Sequence, residues 1–362
     1  MRVGIVTQPL EMNYGGLLQN WALQQVLKRM GHEPITIDAY QRYSFLHFGF
    51  NWTRALLKRL AGKPIKLPKR YKGSLRSQLL GQFVEQHIDK TQVMWHYKPE
   101  VVNQYDLEAL VVGSDQVWRA TYNGDHLEDM FLRFAEGLPL KRVAYAASFG
   151  TDEWEYTAEQ TAACAVLAQQ MNAVSVREAD GVDLCREHLG VKAQCVLDPT
   201  LLLDAEGYKT IIDDSWDGGE PYLAVYCLDI TPEKEAFFNQ LASERGLVVR
   251  YFAAGWKAKL SVQQWLAMLS KAAIVVTDSF HGTIFSILFG RDFYTMGNPE
   301  RGNSRISSLL HSLGLEKRFI DAVSLNLPPS DDDIDWQSVQ SLLEQQRLFS
   351  MSFLSQALRA KV

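Results

Sequence analysis

Apolar residues along this chain fall into two alternating kinds of run, short continuous ones and longer ones at helical spacing. Val3, Ile5 and Val6 open a buried-strand run over residues 2–7. Leu23, Val26, Leu27 and Met30 follow at i, i+3, i+4 and i+7 before Gly31 supplies a stop, and Ile35-Thr36-Ile37 is the next strand. Strand, helix, strand in that order predicts a right-handed crossover and a parallel sheet. The alternation breaks from Tyr43 to about Arg76, where aromatics, prolines and cations crowd together, and residues 41–84 read as an insertion along one edge of the domain. It resumes with strands over 107–112, 142–147, 173–176 and 194–197 and helices near 156–171 and 178–189, completing a doubly wound domain over 1–203.

Residues 204–220, with Asp213, Asp214, Asp217, Gly218 and Gly219, are polar and turn-rich and read as a linker. A second series follows. Strands near 222–228, 247–252, 273–277 and 293–296 alternate with helices near 232–245, 262–271 and 282–289, which predicts a smaller α/β domain over 221–327. In the last segment, 328–362, Ser330-Asp331-Asp332-Asp333 resembles a helix start, and Trp336, Val339, Leu343, Phe349 and Phe353 lie on an amphipathic helix.

Composition agrees with two domains, since 362 residues, 47% apolar, exceed what one core usually supports. Met1-Arg2-Val3-Gly4 is already strand-like, without a charged leader, and no apolar run approaches the ~20 residues of a membrane helix. A cytoplasmic protein is the expectation. Cys164, Cys185, Cys195 and Cys227 are widely spaced without a CxxC pair, so neither a metal site nor a disulfide framework is expected. The net charge of −5 hides an asymmetry: residues 41–84 hold ten Lys or Arg and no acid. Nucleic acid is set aside as a partner, because the remainder is acidic and carries no nucleic-acid motif.

In open parallel sheets ligands bind beyond the carboxyl ends of strands, and four such loops carry candidate chemistry. The first ends in Asn13-Tyr14-Gly15-Gly16 before a helix, where free amides favour an anion, although a plain tight turn fits Gly15 and Gly16 equally well. The second, Gly113-Ser114-Asp115-Gln116-Val117-Trp118-Arg119, is dense in groups able to bind hydroxyls and a charged donor, with Trp118 read as packing. The third ends a strand on Arg177, either a fork for a carboxylate or phosphate or an ion-pair partner of Glu178. The fourth runs an apolar strand into Asp278-Ser279-Phe280-His281-Gly282-Thr283 and a helix; Ser279 or Asp278 can cap it, and His281 sits at its mouth.

NYGGLLQNWALQQVLKRMGH, VVGSDQVWR, SVRE, VLDPTLLL and VVTDSFHGTIFSILFGRDF, in that order, resemble the polysaccharide pyruvyl transferase family over residues 1 to about 320. The resemblance implies two Rossmann-like domains in a GT-B-like arrangement, phosphoenolpyruvate as donor without a further cofactor, and a pyruvyl ketal on two sugar hydroxyls. It implies Arg177 and His281 in donor binding and catalysis. A sugar or lipid-linked saccharide is the expected acceptor, and the basic segment suits weak peripheral contact with the inner face of a membrane. A nucleotide-sugar glycosyltransferase of the same fold and a non-catalytic sugar-binding protein are the alternatives.

Overall fold

The computed structural model describes residues 1–10, 13–39, 75–216, 218–252, 260–298, 303–321, 324–325 and 333–359. Most of the basic insertion therefore lies outside the described residues. Its end forms a helix.

The first domain runs β1 (Arg2–Val6), α1 (Tyr14–Arg29), β2 (Glu33–Thr36), α2 (Leu75–His87), β3 (Ala109–Val112), β4 (Lys141–Ala147), α3 (Ala158–Gln169), β5 (Ala173–Val176), α4 (Ala179–Leu184) and β6 (Gln194–Cys195). Its sheet has the order β2-β1-β3-β4-β5-β6 and every pairing is parallel. A short helix, α5 (Ala205–Lys209), follows within the segment expected as a linker. Asp204 caps it by accepting from Gly207 N, and the hydroxyl of buried Tyr208 donates to Thr200 O, so this stretch packs against the first domain.

The second domain runs β7 (Tyr222–Tyr226), α6 (Pro232–Arg245), β8 (Val248–Tyr251), α7 (Val262–Lys271), β9 (Ile274–Thr277), α8 (Phe280–Leu288), β10 (Asp292–Met296), α9 (Ser304–Ser312) and β11 (Phe319–Ile320). Its sheet, again wholly parallel, has the order β11-β10-β9-β7-β8. Two doubly wound sheets with helical crossovers are the α/β architecture that the alternating pattern predicts. The final two-residue strand, β11, is too short to register as a run.

The closing helix, α10 (Trp336–Arg359), begins later than Ser330-Asp331-Asp332-Asp333 implies. Asp335 starts it, accepting from Ser338 N and Ser338 Oγ, while Asp333 and Ile334 precede the helix. Phe349 is exposed, and Leu354, Ala357 and Leu358 are buried further along. The helix straddles both domains. Gln346 donates to Ser312 O in the second domain, whereas Ser350 Oγ accepts from Leu197 N, and Arg347 donates to the carbonyls of Leu201 and Leu203 in the first.

One hydrophobic cluster runs through both domains, taking in Val3, Leu23 and Tyr145 on one side and Trp265, Phe285 and Phe293 on the other. Tyr14 of α1 joins them directly. Its ring stacks on Trp265 at 5.3 Å and its hydroxyl donates to Leu260 O at 2.8 Å.

Candidate functional site

Both sheets reverse winding direction at one point, between β1 and β3 in the first and between β7 and β9 in the second. Crevices open beyond the strand ends at such points. Three of the four candidate loops leave β1, β3 and β9, and the fourth leaves β5.

The loop after β3 is held by close packing. A Cβ at Gly113 would lie 2.0 Å from Tyr145 O, so the chain can pass there only as glycine. Ser114 is then fixed from three sides. Its N–H donates to Gln19 Oε1 of α1, and its hydroxyl contacts Ala146 O at 3.0 Å and Asp198 Oδ2 at 2.9 Å. Ala146 lies at the register shift of β4, with φ +49°, and the Ser175 hydroxyl accepts its N–H. A bulge next to the site thus re-aims a carbonyl toward Ser114. Asp115 folds its carboxylate onto Gln116 N, and the Gln116 side-chain carbonyl accepts from Arg119, which also lies 3.7 Å from Glu155. Trp118 is fully buried and stacks on Phe131, as packing.

Arg177, at the end of β5, is 4% exposed and points inward. Its Nη1 donates to Asp198 Oδ2 at 2.7 Å, and its Nη2 lies 3.7 Å from Asp115 Oδ1. Glu178 is not its ion-pair partner within 4 Å, because that carboxylate accepts from the amides of Phe149 and Gly150 instead. Two guanidinium donors, Nε and Nη2, have no hydrogen-bond partner. Burial alone would weaken the guanidinium's hold on its proton, but Asp198, Asp115 and Glu178 outweigh it and keep the charge firmly in place.

The loop after β9 brings His281 from the other domain. Ser279 caps α8 by accepting from Gly282 N, which puts His281 in the first turn. A Cβ at Gly15 would meet His281 Nδ1 at 2.0 Å, so the imidazole rests directly on the first turn of α1. Its Nε2 is buried without a hydrogen-bond partner and stands 3.7 Å from Asp198 Oδ2, an ion-pair separation. Asp198 is the hub. Burial would raise its pKa, yet His281 when protonated, Arg177 and the Thr200 hydroxyl together hold it well below the usual carboxylate range.

The structure thus brings together Gly15, Gly16, Ser114, Asp115, Arg177 and His281; a Cβ at Gly16 would sit 3.3 Å from Asp115 Oδ2. Asn13 caps α1 by accepting from Gly16 N. Gln116 and Arg119 stand one step further out. Asp278, Gly282 and Thr283 face into their own domain. Asp278 accepts from Leu228 N, Asp229 N and Asn298, tying the loops after β7, β9 and β10 together, and burial raises its pKa. Gly282 lets α8 approach Thr277, and Thr283 bonds Ser279 O and Thr295.

Residue-by-residue reading missed Asp198, Gln19 and Arg305. Asp198 directly follows a predicted strand, which was the available signal. Gln19 looks like an ordinary helix-surface amide, and Arg305 is 7% exposed in the first turn of α9. No group of three or more metal-ligating side chains occurs among the described residues.

A family model described as polysaccharide pyruvyl transferase matches residues 13–300. No curated protein matches the chain. Among solved structures, S. aureus MnaA in a co-structure with UDP is similar at 11% identity, covering 100% of this chain and 92% of that one, with a TM-score of 0.49. A UDP-GlcNAc 2-epimerase from Methanocaldococcus jannaschii, in complex with UDP-GlcNAc and UDP, is similar at 10% identity, covering 95% of this chain and 99% of that one, with a TM-score of 0.46.

Proposed function

The chain belongs to the polysaccharide pyruvyl transferase family, and from that membership we propose that it transfers a pyruvyl group from phosphoenolpyruvate to two hydroxyls of a sugar. The acceptor belongs to a cell-surface polysaccharide or its precursor, and the product is a cyclic ketal. Arg177 carries the reading. A guanidinium this deeply buried, with no hydrogen-bond partner at Nε or Nη2, leaves desolvated donors that cost ~1–3 kcal/mol unless an anion takes them. Phosphoenolpyruvate offers such an anion at either end.

The chemistry balances without a further cofactor. A proton delivered to the enol methylene makes the central carbon oxocarbenium-like; one sugar hydroxyl adds there, the C–O bond to phosphate breaks, and a second hydroxyl closes the ring. The two hydroxyls give up two protons, of which one replaces the proton spent on the new methyl group and one leaves with phosphate. His281 is the proton-transfer group, with its buried Nε2 at the junction of the domains. Asp198, held ionised, stands 3.7 Å from that nitrogen. Arg177 binds the donor and offsets negative charge on it.

No helix of the described residues is long and apolar enough to cross a membrane. The reading places the enzyme in the cytoplasm, with weak contact between residues 41–84 and anionic headgroups as its peripheral element. The test of function is incubation with phosphoenolpyruvate and a panel of free and lipid-linked saccharides. Phosphate release matched one-to-one by a ketal carbon in the product spectrum is expected. Sugar transfer from a nucleotide sugar with phosphoenolpyruvate untouched would replace this reading by glycosyl transfer.

A further inference from the structure

Gln19, in the second turn of α1, is fully buried, and it takes no part in the donor binding and proton transfer assigned to Arg177 and His281. An amide without access to water has to place both of its ends on protein partners. Its Oε1 accepts from Ser114 N at 2.9 Å, while its Nε2 donates to Gly16 O at 2.9 Å and to Thr7 Oγ1 at 2.9 Å. The Thr7 hydroxyl donates in turn to Ser114 O at 3.3 Å, which closes a ring of hydrogen bonds through Ser114, Gln19 and Thr7. Ser114 N can only donate and Gly16 O can only accept, so the amide faces one way.

The partners of this amide lie on the two sides of the site. Gly16 follows Gly15, where a Cβ would meet His281 Nδ1 at 2.0 Å, so one side is the seat of the imidazole. The Ser114 hydroxyl stands 2.9 Å from Asp198 Oδ2, so the other side is an anchor of the carboxylate. The 3.7 Å between His281 Nε2 and Asp198 Oδ2 therefore depends on how far the first turn of α1 stands from the loop after β3. Gln19 hydrogen-bonds both.

We propose that Gln19 is a positioning residue for the proton transfer, fixing the His281 imidazole relative to Asp198 by acting through Gly16 and Ser114. The role rests on His281 being the proton-transfer group of pyruvyl transfer.

Steady-state kinetics and histidine NMR on Gln19→Met and Gln19→Glu test it. Methionine keeps the length of the side chain and removes all three hydrogen bonds. It should lower kcat by about 10- to 100-fold with KM for phosphoenolpyruvate within about twofold of the parent, the size of loss that a slightly displaced catalytic group produces. The Cε1–H resonance of His281 should shift, and that of His311, exposed on α9, should not. Glutamate, when ionised, presents an oxygen to Gly16 O, whereas the protonated acid regains one donor. Gln19→Glu should therefore recover toward the parent's rate at the same pH as the pH falls and the buried carboxyl takes up its proton.

A role in stability alone would lower the melting temperature while kcat per folded molecule, the His281 resonance and the pH profile keep the parent's values, and that result would overturn the proposal. Lost turnover with the His281 resonance unmoved would overturn it equally. If Gln19→Met does not fold, Thr7→Val takes its place, since it removes only the hydroxyl that closes the ring. It should move the same resonance by a smaller amount, and an unmoved resonance again rejects the role. Should the resonance move while the parent transfers nothing from phosphoenolpyruvate to any saccharide, Gln19 positions His281 and pyruvyl transfer is the reading that fails.

Discussion

Asp198 ties the two domains' side chains together, since Arg177, His281, Ser114 and Thr200 all meet its carboxylate. Its pKa is depressed, so it stabilises the fold fully above the unfolded value of about 4, and that stabilisation drains away as pH falls toward the folded value. Asp198→Asn should destabilise by ~3–5 kcal/mol at neutral pH, because it strands a buried guanidinium. Below about pH 4 the parent should lose ~1.4 kcal/mol per pH unit more than the variant, to be measured by denaturant unfolding across pH. Parallel slopes would remove the depressed carboxyl. His281→Gln, by contrast, should cut turnover ~100-fold with little change in melting temperature, and near-normal rates would reduce His281 to packing. The placement of Arg177 and His281 beside the crevice was readable in the sequence, because Arg177 follows an apolar strand and His281 lies in the helix turn just after another. The burial of Arg305 was not, because nothing in its neighbourhood announces that α9 packs against α4 of the first domain, and an arginine in a helix's first turn ordinarily faces water.

At the scale of elements, the first turn of α1 is the seat of the histidine. Gly15→Ala would place a methyl 2.0 Å from His281 Nδ1, so the ring must move. Alanine favours the helix itself by ~1 kcal/mol over glycine, which separates the effects. The variant should fold normally and lose turnover by ~10-fold or more, through displacement of the imidazole; steady-state rates with a melting curve check this. Full activity would mean that the contact is absent in solution. The order of strands and helices was readable from period alone, since strand runs such as 109–112 and 274–277 are buried throughout and, but for Thr277, apolar. The buried polar side of α1 was not. Gln19, Asn20 and Gln24 are fully buried because they serve Ser114, Thr36 and the carbonyl of Asp89, partners distant in sequence. The start of α10 was misplaced for a related reason. Three consecutive aspartates look like a cap, but the bonded cap is Asp335, two residues beyond them.

Over the whole molecule, the two sheets share one core through Tyr14, Trp265 and Phe285, and α10 fastens the second domain to the first. Interfaces this apolar do not open freely. Scanning calorimetry should therefore show one cooperative transition, and Trp265→Ala should cost ~3–5 kcal/mol without splitting it. Two separated transitions would contradict a shared core. The rigid junction matters because His281 and Arg177 come from different domains and their site exists only while both are docked. The proposed function requires that this junction bind phosphoenolpyruvate. Titrating the intact protein by calorimetry, in parallel with phosphoenolpyruvate and with a uridine-diphosphate sugar, tests it most directly. Saturable binding of phosphoenolpyruvate is expected, weakened by ~10-fold or more in a folded Arg177→Ala variant, with no comparable response to the nucleotide sugar. Saturable binding of the nucleotide sugar, with none of phosphoenolpyruvate, would contradict it.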